Sequence, residues 1–287
     1  MYAVTGITGK VGGTLAQALL AQGKPVRAVL RDPAKAEIWA ARGCEIALAE
    51  MEDAAQLAQA FAGAEGVFIL PPPEFDPAPG FPAAKRVINA VAAALRIAKP
   101  ARVLCLSTIG ADARFENLLT PRGMMEEALG ALGLPVIFLR SAWFMDNALW
   151  DAPAARDEAV LRSFLQPLHK SFPMVAARDV GDCAAGLLMQ GWEGSRIVEL
   201  EGPNRVSPED LAAAFSQALG HTVKPETVPR AAWEALFTAQ GMNHPTPRIR
   251  MLDGFNEGWI DFRGGHETAQ GKTPLAEVIA ALVKTST

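Results

Sequence analysis

The chain has 287 residues, 50% of them apolar, enough for a large buried core in one large domain or two unequal lobes. Its 27 Lys and Arg against 31 Asp and Glu give a net charge of −4, and no basic block is present, so nucleic-acid binding has no electrostatic support. The longest apolar stretch, around residues 91–94, is broken by Lys85, Arg86, Asn89 and Arg96, too short to span a membrane; with no charged-then-apolar leader before the first strand, a cytoplasmic protein is expected.

A short apolar strand over residues 1–4 runs into Thr5-Gly6-Ile7-Thr8-Gly9-Lys10-Val11-Gly12-Gly13. Helical apolar spacing follows (Leu15, Ala18, Leu19), then a second strand over 26–30. Strand, glycine-rich turn, helix and strand form the phosphate-binding end of a dinucleotide site. A pyrophosphate needs backbone N–H groups at close range and a helix N-terminus aimed at it. Gly6 permits the tight turn, because glycine tolerates positive φ. Gly9 lets the backbone approach the phosphates, and Gly12 lets the helix pack closely on the strands. Thr8, Lys10 and Val11 complete the loop that would touch the ligand. The spacing is G-x-x-G-x-x-G, not G-x-G-x-x-G, so an ordinary glycine-rich strand–helix turn stays open as the other reading.

The end of the second strand selects the cofactor. An acid there would hold the 2′-hydroxyl of NAD, but this strand ends in Leu30-Arg31. A guanidinium can clasp a 2′-phosphate through two hydrogen bonds, and Lys35 adds a second charge one helical turn on. NADP(H) is therefore expected in preference to NAD(H), unless Arg31 and Lys35 are simply solvated charges. Asp32, followed by Pro33, reads as a helix cap.

Further on, the pattern predicts helix 35–41, strand 45–49, helix 53–61 and a fully apolar strand 66–70 stopped by Pro71-Pro72-Pro73. Helix 81–98, strand 102–106 ending in Ser107-Thr108, helix 122–132 and strand 136–139 follow. Near-continuous apolar strands joined by helices predict an α/β fold, a Rossmann-type doubly wound parallel sheet. The second half reads as loop and helix over 153–169, an extended piece at 174–177, helix 179–190 with Asp179 as its cap, and a strand 196–200. Helix 208–219 is capped by Ser207, and the tail 229–284 is mostly helical with loops at 241–247 and 254–271. The expected division is a Rossmann domain, 1–155 with 174–205, and a smaller, mostly helical C-terminal substrate lobe, 156–173 and 206–287. Ligands of such sheets bind at the carboxyl ends of the strands.

Cys44, Cys105 and Cys183 read as small buried residues, and the four histidines share no metal-ligand spacing, so no metal is expected. His169 is a candidate proton donor, since an imidazole is the side chain suited to proton transfer near neutral pH, or an exposed residue beside Lys170. Trp143, Phe144, Asp146 and Asn147 follow a strand's carboxyl end. Asp146 and Asn147 stand where functional groups often sit, and Trp143, Phe144 and Asn147 are candidates for the wall of a substrate cleft, though core packing serves the aromatics equally well.

Four stretches together resemble the NmrA-like members of the atypical short-chain dehydrogenase/reductase superfamily: the opening turn with Arg31-Asp32-Pro33-Ala34-Lys35; Ser107-Thr108-Ile109-Gly110-Ala111; Met125-Glu126-Glu127 with Gly133-Leu134-Pro135 and residues 139–147; and residues 175–181 with 199–203. The resemblance implies a Rossmann domain binding NAD(P), Glu50 and Met51 near the adenine, and Leu70, Pro71 and Pro72 beside the ribose and phosphates. It places Ser107 and Thr108 near the nicotinamide. Short-chain reductases commonly use a Tyr-x-x-x-Lys pair, whereas the one tyrosine here, Tyr2, lies in the first strand. Members that keep only the lysine carry it where this chain has Arg122. Arginine holds its proton too tightly for acid–base work, yet it can bind a ribose hydroxyl or stabilise an oxyanion. Its other reading is a surface residue in a helix's first turn. Two functions fit: an NADPH-dependent reductase of a small conjugated carbonyl compound such as a quinone, or a non-catalytic NADP(H) redox-sensing regulator acting on a protein partner through the tail beyond residue 229.

Overall fold

The computed structural model describes residues 1–285. Twelve strands are found among them: β1 (Tyr2–Thr5), β2 (Val26–Leu30), β3 (Glu45–Leu48), β4 (Gly66–Ile69), β5 (Arg102–Thr108), β6 (Val136–Ser141), β7 (Trp143–Phe144), β8 (Val160–Ser163), β9 (Met174–Val175), β10 (Ser195–Glu201), β11 (Lys224–Thr227) and β12 (Glu267–Gln270). The α-helices are α1 (Lys10–Ala21), α2 (Ala36–Ala40), α3 (Ala54–Phe61), α4 (Pro82–Ala98), α5 (Thr120–Gly130), α6 (Ala152–Asp157), α7 (Ala177–Met189), α8 (Pro208–Leu219), α9 (Trp233–Ala239), α10 (Thr246–Glu257) and α11 (Leu275–Thr285).

Eight strands form one sheet in the order β3-β2-β1-β4-β5-β6-β10-β12, every neighbouring pair parallel. This is the Rossmann-type arrangement expected. The order reverses between β1 and β4, which opens a crevice at their carboxyl ends. Parallel strands covered on both faces must be apolar on both faces. Accordingly Val4, Phe68 and Leu104 join the core beneath α1 and α7, while Ala3, Val67 and Cys105 join the one beneath α3 and α4. A third apolar cluster gathers Phe172, Phe215, Trp233, Phe237 and Ile279 from the second half of the chain.

Helix starts follow the local chemistry. Asp53 accepts from two N–H groups of α3, and Ser207 with Asp210 forms a reciprocal capping box on α8. Three features depart from the sequence reading. Residues 267–270, expected within a loop, pair with β10 as the sheet's edge strand. A parallel pair joins β8, in a stretch read as loop and helix, to β11, in a stretch between the helix 208–219 and the tail to which the sequence reading assigned no element. Helix α7 begins at Ala177, so Asp179 is not its cap; the buried carboxylate instead accepts from Lys272 N (2.9 Å), Thr273 N (2.8 Å) and Thr273 Oγ1 (2.6 Å), fastening the entry to α11. Among the described residues no helix is long and apolar enough to cross a membrane.

Candidate active site

The turn after β1 is stitched to β4. Thr5 Oγ1 donates to Phe68 O (3.1 Å) and accepts from Leu70 N (2.8 Å). Gly6 adopts φ +63°, and a Cβ there would lie 3.0 Å from Leu70 Cβ. Gly12 sits where α1 crosses the turn, and a Cβ would lie 2.4 Å from the carbonyl oxygen of Gly6. Both glycines are demanded by the protein's own geometry. Gly9 is not: its φ is −92°, and the nearest atom to a Cβ there is Gly6 O at 3.5 Å. No side chain caps α1 and no acid stands in its first turn. Uncapped N–H groups and a bare approach over an exposed glycine make a cradle that fits a phosphate.

Lys10, exposed beside that cradle, pairs with Asp146 (2.8 Å), whose other oxygen accepts from Ala177 N (2.7 Å). Asp146 therefore ties the turn to the start of α7. Thr8 is exposed at the turn, and Val11 is buried beneath it. Past β2, Arg31 and Lys35 are exposed and meet no carboxylate among the described residues. The competing acid is occupied: Asp32 accepts from Ala34 N (3.0 Å), as its reading as a cap expects. Past β3, Glu50 is exposed and Met51 half-buried.

The carboxyl ends of β5 and β6 carry a buried ionic network. Arg140, 5% exposed, forks onto Glu126 (2.9 and 2.7 Å) and reaches Asp112 (3.0 Å). Ser107 donates its hydroxyl to the same Glu126 carboxylate. The sequence signal was the Glu126 and Arg140 motif; their pairing becomes visible only once α5 lies over β6. Thr108 is half-buried beside them. Arg122, one turn before Glu126, donates through Nη2 to the carbonyls of Pro71 (3.3 Å) and Pro72 (3.5 Å). Burial lowers its pKa. Cys105 below it is inert, its thiol pushed up to about 12 by burial. Tyr2 lies at the opposite end of β1, its hydroxyl on Glu65 (3.2 Å).

The connection from β4 to α4, residues 70–81, crosses toward the second half of the chain. Phe75 meets Trp150 edge-on (5.9 Å), and Asp76 accepts from the N–H groups of Asn243 (2.8 Å) and His244 (2.6 Å). Asn147 and Trp150 share one face of the short 3₁₀ helix Met145–Trp150, since residues three apart eclipse there. Trp143 packs edge-on against Phe255 (5.2 Å), while Phe144 packs on the sheet core beneath α1 and α7. His169 is exposed, and its neighbours Leu168 and Lys170 bond to Glu209 and to Phe255 and Asn256, not to any strand end of the main sheet.

Sequence reasoning missed Asp151, which precedes α6 and reads like an ordinary cap. Its carboxyl caps nothing, and burial raises its pKa to about 7. A folded-state pKa above the unfolded value near 4 makes stability fall as pH rises from about 4 to about 7 and level off beyond. Asp151→Asn is expected to remove that slope and to raise the denaturant midpoint at pH 8. An unchanged slope would assign it to another group.

The sequence matches the family model described as "NmrA-like family" over residues 2–268. The chain belongs to this family. It is 32% identical over 251 residues to the (4-alkanoyl-5-oxo-2,5-dihydrofuran-3-yl)methyl phosphate reductase of Streptomyces griseus, covering 86% of this chain and 83% of that one. It is 27% identical over 246 residues to quinone oxidoreductase 2 of Escherichia coli, covering 84% and 82%. The fold superposes on the crystal structure of the Escherichia coli NADPH-dependent quinone oxidoreductase QOR2 complexed with NADPH, with a TM-score of 0.78 at 24% identity over 98% of this chain and 99% of that one.

Proposed function

We propose that the protein is an NADP(H)-binding oxidoreductase that passes hydride from NADPH to a small conjugated carbonyl or quinone-type substrate. The observation that carries the binding part is Gly9, a glycine that neither backbone strain nor packing requires, set over the uncapped start of α1. The reductases among its relatives support the reaction part. The free N–H groups at the start of α1, from Lys10 on, hold the pyrophosphate, with Thr8 and Lys10 beside it and Gly6 and Gly12 shaping the turn. Arg31 and Lys35 take the 2′-phosphate; Glu50 and Met51 border the adenine, and Leu70, Pro71 and Pro72 the ribose. Ser107 and Thr108 approach the nicotinamide. When bound, the cofactor supplies the hydride. The lobe built from residues 156–173 and the tail, less the sheet strand β12, closes the cleft with Trp143, Phe144 and Asn147.

A quinone takes its proton from solvent, so positioning carries most of the chemistry. Arg122 holds the prolines beside the ribose and presents a fixed positive charge to a developing oxyanion. His169 enters as donor only if the loop that carries it moves. One observation favours the second reading, a redox-sensing regulator with a protein partner: Arg122 stands where acid–base chemistry would be, and it already binds carbonyls. Oxidation of NADPH by purified protein across quinones, enals and azo dyes decides between them. No turnover with any, alongside NADP(H)-selective binding, would leave the regulator.

Arg31→Ala is expected to weaken NADPH about 10- to 100-fold, the loss of one or two charge-assisted hydrogen bonds. NADH should change little. Equal losses in a titration of both would remove Arg31 from the 2′-phosphate.

A further inference from the structure

A chain of contacts rings the carboxyl ends of β1, β4 and β5. Thr5 Oγ1 accepts from Leu70 N and ties the glycine turn to the end of β4. Arg122 holds Pro71 and Pro72 from α5, the helix that follows β5. A few residues further, Phe75 meets Trp150 edge-on, ring centroids 5.9 Å apart and planes at 84°. Asp146, in the same 3₁₀ helix as Trp150, closes the ring on Lys10 of the glycine turn. In the sheet β5 lies between β4 and β6. The aromatic contact therefore joins the segment after β4 to the segment after β6, on either side of the strand that ends in Ser107 and Thr108.

This contact is not core packing. Phe75 is 54% exposed and Trp150 63%. Single exposed apolar residues are ordinary; here two large rings from distant segments meet at the rim of the strand ends. Neither segment hangs loose. Asp76 accepts from the N–H groups of Asn243 and His244, and the 3₁₀ helix Met145–Trp150 packs on α11. The rings named by sequence are less free: Trp143 and Phe144 are half-buried, one against Phe255 and the other on the sheet core. An edge-on contact covers a single ring face and leaves the others open to a flat ligand. Asn147 shares the Trp150 face of the 3₁₀ helix. Neither its amide nor the Trp150 indole N–H makes a hydrogen bond among the described residues.

We propose that Phe75 and Trp150 determine specificity by stacking the flat ring system of the electron acceptor, with the Asn147 amide donating to a carbonyl oxygen at its edge. The word acceptor rests on the reductase reading; the aromatic site does not. Stacking is held by apolar area and ring quadrupoles, so affinity should grow with the number of fused rings.

The test has two arms. In the first, NADPH oxidation is followed with single-ring 2,6-dimethylbenzoquinone and three-ring 9,10-phenanthrenequinone. Comparing each variant with wild type cancels the intrinsic reactivity of the two quinones. Trp150→Leu and Phe75→Leu should each lower the three-ring to one-ring ratio of kcat/KM about two- to tenfold, chiefly through KM, and Trp150→Phe should keep most of it. An unchanged ratio overturns the proposal. So does a loss shared equally by both quinones and by NADPH affinity, which would mean that the contact only holds the two segments in place. In the second arm, binding of 1-naphthol and of phenol is measured by calorimetry without NADPH. Wild type should prefer 1-naphthol several-fold, and both leucine variants should lose that preference. If wild type shows none, or the variants keep it, the aromatic site is overturned even where quinones are reduced. If no quinone is reduced but the preference depends on these rings, the aromatic site stands and the reductase reading falls. A wild type that sediments as a dimer and a Trp150→Leu that sediments as a monomer would assign the rings to an interface between copies of this chain and overturn the proposal likewise. Should Trp150→Leu fail to fold, Phe75→Leu still decides.

Discussion

Gly12→Ala and Gly9→Ala are expected to lose NADPH binding alike and to differ sharply in stability. A Cβ on Gly12 would stand 2.4 Å from Gly6 O and 2.7 Å from Gly6 C, both backbone atoms of a turn fixed by Thr5 and Leu70. Nothing flexible can yield, so α1 must be pushed off the sheet. Overpacking of this kind costs about 1–3 kcal/mol, and it displaces the N–H groups that face the phosphates. At Gly9 the same methyl meets one atom at 3.5 Å in an unstrained backbone. There, two small effects of opposite sign compete: alanine is the weaker N-cap, and it restricts the unfolded chain, each worth up to about 1 kcal/mol. Thermal unfolding of Gly9→Ala should therefore stay near wild type while its nucleotide titration goes flat, since the methyl occupies the pyrophosphate's approach. Wild-type affinity in Gly9→Ala would show that no phosphate sits over this turn and would remove the main support for the proposed cofactor.

The glycine turn and the first six strands were legible in the sequence because their signals are local. Parallel strands buried on both faces must be apolar throughout, and β4 (Gly-Val-Phe-Ile) is buried at every position. The capping acid Asp32 acts within two residues of itself. What escaped is either polar or non-local. Strand β12 is Glu-Thr-Ala-Gln at a sheet edge and β11 is Lys-Pro-Glu-Thr, so neither offers an apolar run to read. Asp179 looked like a cap because it stands near a helix start; its partners lie 93 and 94 residues away. Asp146 was read as a functional group at a strand end, and it is one in a structural sense, joining Lys10 to the start of α7.

Disrupting the Arg140–Glu126 pair is expected to cost as much as truncating a fully buried aromatic side chain. Arg140→Met would leave Glu126 without its fork and would take one of two nearby positive groups, with His266, from Glu199, 4% exposed and opposite Arg140 in the β6–β10 register. Removing one partner of a buried pair costs about 3–5 kcal/mol, because the stranded charge must be desolvated alone. The sign of the pH dependence follows. Burial already raises the Glu199 carboxyl, and losing Arg140 raises it further, so the deficit is full near pH 8 and shrinks as pH falls through the carboxylate range. Denaturant midpoints of the variant and wild type across that range measure it; a constant difference would mean that lost packing, not stranded charge, dominates. The double variant Arg140→Met/Glu126→Leu should recover part of the loss, since it buries no unpaired charge at these two positions. Its activity should not recover with it. Glu126 accepts the Ser107 hydroxyl and anchors the helix that carries Arg122, one turn away, against the prolines after β4. A double variant stable enough to fold yet low in kcat/KM would show that this pair sets the position of the nicotinamide end of the site; one that is fully active would confine the pair to holding α5 on the sheet.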